Sequence, residues 1–164
     1  MILPVTPSFR LDGRRAIITG AGGGIGLAAA AALADAGAAV TLVARTGATV
    51  EAGAAAIRAA GGTAEAAVLD VTDLAAVESF FGDRPAFNVL VNNAGTNRPM
   101  PMTEVSEVSE VSEVDYDAVS DLNVKAAFFV AQACARRLLA SKKPGSLIHI
   151  GSQMGHVGGP NRSL

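Results

Sequence analysis

An α/β fold built on a doubly wound parallel sheet is predicted by three observations. Five apolar runs alternate with helical stretches along the chain. The runs are nearly continuous rather than alternating polar and apolar, as expected for strands covered on both faces. A glycine-rich turn joins the first run to the first helix, where such sheets need tight turns and close packing. Right-handed crossovers then give the strand order 3-2-1-4-5 as far as the chain goes.

The elements follow in order. RAIIT at 15–19 reads as the first strand, with a helix over 25–36. AVTLV at 39–43 is the second strand, followed by a helix over 49–60 that Gly61 and Gly62 end. Residues 63–69 form the third strand, and Asp73 caps a helix over 74–81. FNVLV at 87–91 is the fourth strand, 116–139 one long helix, and SLIHI at 146–150 the fifth strand. One segment breaks the pattern: 104–114 reads EVSEVSEVSEV, a period of three that holds no apolar face in a helix or a strand. It marks residues 103–114 as an insertion. Two readings are open, a tandem expansion in a surface loop or helix start, and a substrate-side lid. Its four carboxylates would repel an anionic substrate.

Composition narrows the class. The 164 residues suit one domain, and 50% hydrophobic content with 18 Gly permits a sizeable core. A net charge of −2 without a basic stripe argues against nucleic acid. Arg136, Arg137, Lys142 and Lys143 fall at a helix end, where they complement the helix dipole. No apolar run reaches the roughly 18 residues of a membrane helix, and no signal peptide is evident at the N-terminus. The single cysteine, Cys134, sits in an apolar helical pattern and reads as a buried small residue. A cytoplasmic protein without a metal site is expected.

Thr19-Gly20-Ala21-Gly22-Gly23-Gly24-Ile25-Gly26 occupies the strand-to-helix turn. Glycine there lets backbone N–H groups approach the phosphate oxygens of a nucleotide, at a helix N-terminus that favours anions. Gly20, Gly22, Gly23, Gly24, Ile25 and Gly26 are the candidate pyrophosphate contacts. The spacing, with glycine at 20, 24 and 26, is G-x-x-x-G-x-G rather than G-x-G-x-x-G. After the second strand stands Arg45, not the acidic residue that would bind an NAD ribose. A guanidinium suits a 2′-phosphate, which favours NADP while leaving NAD possible. Asp70 and Val71 close the third strand, where an adenine contact or a helix cap is open to Asp70. Asn93, Ala94 and Gly95 close the fourth, where asparagine can fix the backbone and small residues leave room for a flat ring.

In this order and spacing, TGxxxGxG, the Asp-Val pair and NNAG resemble the classical short-chain dehydrogenase/reductase family over roughly residues 10–164. The resemblance implies a Rossmann-like fold and NADP-linked carbonyl/alcohol oxidoreduction. Arg45 matches the position used by NADP-preferring members. Asn123 matches the family's active-site asparagine, implied to bend the long helix and hold a water in a proton relay. Ser152 matches the catalytic serine, implied to hydrogen-bond the substrate carbonyl. The family's Tyr-x-x-x-Lys step is not in the sequence: the expected tyrosine position is the one following Leu164, and the lone Tyr116 is misplaced for the role. The expectation is therefore a domain lacking the family's last strands and helices, probing cofactor without turnover unless a tyrosine and lysine follow. Asn88 stands where the family often has aspartate, and His149 where asparagine is common; His149 is expected to be structural. Sugar-acid ketones, 3-oxoacyl thioesters and small ketones are equally open as substrates. The family further implies a homodimer or homotetramer through the 116–139 helix.

Overall fold

A computed structural model describes residues 8–101 and 111–159. Five parallel strands form one sheet in the order β3-β2-β1-β4-β5: β1 (Arg15–Thr19), β2 (Ala39–Ala44), β3 (Thr63–Val68), β4 (Val89–Asn92) and β5 (Ser146–His149). The predicted order is the observed one. Strand and helix ends differ from the sequence expectations by one to three residues. β4, for example, starts at Val89 rather than 87, after the Asn88 side chain has accepted from Arg15 N at 3.1 Å and donated to Pro144 O at 3.1 Å.

Successive strand side chains face opposite sides, and this sorts the core. Ile17, Val43 and Leu90 point to the side covered by α3 (Leu74–Gly82) and α5 (Ala127–Ala140). Ala16, Ile18, Val40, Leu42 and Val91 point to the side covered by α1 (Gly24–Asp35) and α2 (Gly47–Ala59). On the first side Phe87, with 1% exposure, packs edge-to-face on Phe81, which does the same on Phe80. On the second side the buried helix residues are mostly alanine and glycine, which lets the helices lie close to the sheet. Asp73 caps α3 as expected, accepting from Ala76 N at 3.0 Å.

The long helix begins earlier than predicted and is not uniform. α4 (Glu113–Ser120) takes in Glu113 and Val114, the last two residues of the triplet repeat. Ser112 caps it, accepting from Asp115 N at 3.2 Å, and its hydroxyl donates to Asp115 Oδ2 at 2.6 Å. Glu113 and Asp115 in the first turn add charge of the sign the helix dipole favours there. Residues 102–110, which include the repeat from 104 to 110, lie outside the described residues. Between α4 and α5 the chain is wound as a π-helix over Asp121–Ala126, the wide turn being centred on Asn123.

Cys134 is fully buried, and burial pushes its thiol up to about 11. At the end of α5, Arg136 pairs with Glu78 at 3.5 Å and Arg137 donates to Arg84 O at 2.9 Å. β5 pairs with β4 alone among the described residues, and all four of its residues are exposed. No helix among the described residues is long and apolar enough to cross a membrane.

Candidate functional site

Because every strand runs the same way, the loops that follow them gather at one edge. The chain leaves β1 toward β2 and β3, then returns to place β4 on the other flank of β1. Crevices at such crossover points hold ligands. Here the crevice is a groove of about 550 Å³ lined by Gly20, Arg45, Asp70, Gly95, Arg98 and Leu122, among others.

The glycine-rich turn forms its floor. Gly20 has φ +64°, and a Cβ on it would meet Ala94 Cα at 2.8 Å. Gly26 is packed against Gly20 O, where a Cβ would come within 2.5 Å, and against the Asn93 amide. Gly22 and Gly23 line the groove; Gly24 and Gly26 do not, and the Ile25 side chain points away, 66% exposed. α1 starts at this turn with glycine as its cap, no side-chain cap bond and no acidic residue in its first turn. Its first N–H groups therefore have neither a side-chain cap nor an internal acidic partner.

Asn93 does not line the groove. Its Nδ2 donates to Thr19 O at 3.1 Å and to Gly20 O at 3.2 Å, bracing the turn from behind. Thr19 is the organising group that the sequence did not mark. Its buried Oγ1 accepts from Asn93 N and Ala94 N, both at 3.0 Å, and lies 3.3 Å from Asn92 Oδ1, to which it donates.

At one end of the groove Arg45 is exposed beside Thr46 and Thr49. Asp70 sits near it and is tied down by Thr72. Its Oδ1 accepts from Thr72 N at 3.0 Å and from Thr72 Oγ1 at 2.7 Å. Those bonds, the backbone one foremost, hold its carboxyl below the ordinary aspartate value; burial opposes them slightly and Arg45 adds a smaller pull in the same direction. Val71, 7% exposed, is core as much as wall. The lowered carboxyl makes a pH prediction. Asp70 contributes stability in full at neutral pH, and loses it as pH falls from the ordinary value of about 3.9 through the lowered one. The difference in melting temperature between wild type and Asp70→Asn should be greatest near neutral pH and shrink as pH falls below the ordinary aspartate value. A difference that persists unchanged into acid would assign the effect to shape, not charge.

At the other end, Asn123 uses both ends of its amide on Thr96. Oδ1 accepts from Thr96 N and Nδ2 donates to Thr96 O, each at 2.8 Å. Ser152 lies just past β5, exposed, and caps a short 3-10 turn (Gln153–Gly155) by accepting from Met154 N at 3.1 Å. It follows the same sheet edge but does not line the groove. His149 is exposed on β5 and makes one long contact, Nδ1 to Asn92 Nδ2 at 3.5 Å. The structure thus brings Gly20, Gly22, Gly23, Arg45, Asp70, Val71, Ala94 and Gly95 to one wall. Asn93 and Asn123 support that wall, and Ser152 stands apart from it. Thr46, Thr49, Thr72 and Arg98 join it without having been marked by any motif.

Five parallel strands in this order, helices on both faces and a glycine-rich turn at the crossover define a Rossmann-like α/β protein. The sequence model of a family described as short chain dehydrogenase matches residues 14–164. The chain belongs to that family. It is 38% identical over 155 residues to galactitol 2-dehydrogenase from Rhizobium johnstonii, covering 91% of this chain and 57% of that protein. It is 38% identical over 147 residues to D-erythrulose reductase from Gallus gallus, covering 90% and 56%. Among solved structures, a gluconate 5-dehydrogenase from Burkholderia cenocepacia J2315 in complex with NADP and tartrate matches with a TM-score of 0.83 at 38% identity, over 95% of this chain and 60% of that one. The chain therefore spans between half and two thirds of the length of these relatives.

Proposed function

We propose that this chain forms the cofactor-binding part of an NADP-preferring oxidoreductase that interconverts a carbonyl and an alcohol. The observation that carries the reading is the end of the groove at β2. An exposed arginine stands there beside two threonines and the first turn of α2, which has no acidic residue and no side-chain cap. The site fits a dinucleotide on its own geometry. Gly22 leaves the space that a Cβ would contest with Thr49 Oγ1 at 2.6 Å, and α1 offers unpaired N–H groups to a pyrophosphate.

Arg45 would hold the 2′-phosphate, and the Gly20–Gly23 turn the pyrophosphate. Asp70 and Val71 would flank the adenine, and Ala94 and Gly95 would leave room for the nicotinamide ribose. Gly24, Ile25 and Gly26 act through the helix start rather than by contact. The bound nicotinamide supplies hydride chemistry. Ser152, whose Oγ accepts a backbone bond, keeps its O–H to donate to a substrate carbonyl as charge builds on that oxygen. Asn123 fixes Thr96, and with it the loop that would bear the nicotinamide end. The relatives are named for a polyol, a ketose and an aldonate, which supports a polyhydroxylated substrate. The exposed apolar side chains Val124, Phe128 and Leu139, at 69%, 60% and 78%, support a homo-oligomer through the 116–139 helix. The same reading places the enzyme in the cytoplasm.

A second reading, cofactor binding without turnover by these 164 residues alone, is favoured by one observation. The sole tyrosine, Tyr116, lies in the first turns of α4, seven residues before Asn123, and does not line the groove. Titration of the chain with NADPH and NADH, followed by cofactor fluorescence, tests the binding that both readings share. NADPH is expected to bind more tightly, and Arg45→Ala to weaken NADPH by roughly 10–100-fold, the worth of a charge-assisted phosphate contact, with little effect on NADH. Equal affinities in the wild type, or an Arg45→Ala variant indifferent to the phosphate, would refute the NADP assignment. A carbonyl-reduction assay on the same sample separates the two readings.

A further inference from the structure

The strand order fixes the polarity of the groove. Arg45 follows β2 and Asp70 follows β3, on one side of the glycine-rich turn. Thr96 and Arg98 follow β4 and Ser152 follows β5, on the other side. A dinucleotide with its 2′-phosphate at Arg45 must run toward β4 and β5 to bring its reactive ring near Ser152. Arg98 is then a cation on the substrate half of the groove.

Its surroundings leave that cation under-used. The side chain is 53% exposed, and its one ion pair among the described residues is Nε to Asp115 Oδ1 at 3.8 Å, beyond hydrogen-bond length. Asp115 is already engaged, accepting at Oδ2 from Ser112 Oγ at 2.6 Å. The two Nη groups of Arg98 have no partner among the described residues. The other acids on the groove wall are committed elsewhere, Asp70 to Thr72 and Asp121 to Lys125 at 3.1 Å. The base of Arg98 is nonetheless fixed, because Asn123 pins Thr96 two residues earlier through two bonds of 2.8 Å. An arginine that lines a groove from an anchored loop is suited to bidentate contact with a carboxylate.

We propose that Arg98 is a specificity-determining residue that grips the carboxylate of a polyhydroxy acid, so that the enzyme favours an aldonate or its keto form over a neutral alditol. This rests on the oxidoreductase reading above. The gripped carboxylate takes no part in the reaction; it sets which carbon stands at Ser152. Asp115, 3.8 Å from Nε, is a nearby negative charge with which the substrate carboxylate competes for the guanidinium.

The competitor makes the test sharp. Calorimetric titrations of the chain with gluconate and with sorbitol, each with and without saturating NADPH, compare an acid with a neutral polyol of the same length. Gluconate is expected to bind about tenfold more tightly than sorbitol. Arg98→Ala should abolish that difference while leaving NADPH affinity unchanged, and Arg98→Lys should keep part of it. Asp115→Asn should tighten gluconate a few-fold by releasing the guanidinium. Equal binding of the two polyols, no binding of gluconate, or a preference that survives Arg98→Ala overturns the proposal. So does a parallel loss in Arg98→Ala and Asp115→Asn, the behaviour of a structural clamp. Failure to bind NADPH would instead overturn the dinucleotide reading, and the cofactor-free titrations would still decide the role of Arg98.

Discussion

Thr19→Val should lower the melting temperature by roughly 6–12 °C, the shift that about 3 kcal/mol produces in a domain of this size. Valine keeps the shape of threonine, so no cavity opens. What is lost is the hydroxyl that accepts from Asn93 N and Ala94 N and donates to Asn92 Oδ1. A buried polar group stripped of its partner costs about 1–3 kcal/mol, and Thr19 is 1% exposed. Part of the loop can recover bonds to water, which keeps the sum below three full penalties. NADPH affinity should fall with stability, because the same loop carries Ala94 and Gly95 into the groove. A Thr19→Val protein melting within about 2 °C of wild type would show that the hydroxyl is not the hub its geometry describes.

Gly20→Ala should be at least as damaging, by a different route. At φ +64° an L side chain is strained by about 1–2 kcal/mol before any contact is counted. The new Cβ would then stand 2.8 Å from Ala94 Cα and 3.0 Å from Ala94 N. Both are backbone atoms of the loop that Thr19 holds, so neither can rotate away. The turn must open, and NADPH binding is expected to weaken by roughly 100-fold or more, since an opening of an ångström removes several N–H contacts to phosphate at once. Gly82→Ala, at the end of α3 with nothing within 4 Å of the added carbon, is the control and should leave both stability and binding intact. Normal NADPH binding by Gly20→Ala would mean that the turn yields at no cost.

Much of this was legible in the chain. β1, β2 and β4 carry apolar runs dense enough to mark strands buried on both faces, and glycine at 20, 22, 23, 24 and 26 marks the phosphate turn. Arg45 was readable because the position after β2 is where an acidic or a basic residue sorts dinucleotides in such folds. Thr19 was not, since its partners lie more than seventy residues away and a threonine ending a strand is ordinary. The wide turn at Asp121–Ala126 was signalled only by the family resemblance at Asn123, and not by the apolar pattern. Leu122, Ala126, Val130 and Ala133 fall at spacings of four, four and three, which suit an unbroken α-helix. The start of α4 was misjudged because the triplet repeat masks Ser112, whose capping bond becomes visible only with Asp115 folded back on it. Arg98 carries no motif, and its meaning comes from the strand order that puts β4 beside β1.

The helix from Glu113 to Ala140 is stitched to the sheet edge at two points. Asn92, the last residue of β4, donates to Ala127 O at 2.6 Å, and Asn123 reaches back to Thr96. One stitch runs from strand to helix and the other from helix to loop, four residues apart on the helix. Neither the groove floor nor the helix can therefore shift alone. Phe128, next to one stitch, and Val124, next to the other, lie on the outward face of that helix. An assembly built on that face would have its contact surface tied to the groove wall through Asn123 and Thr96.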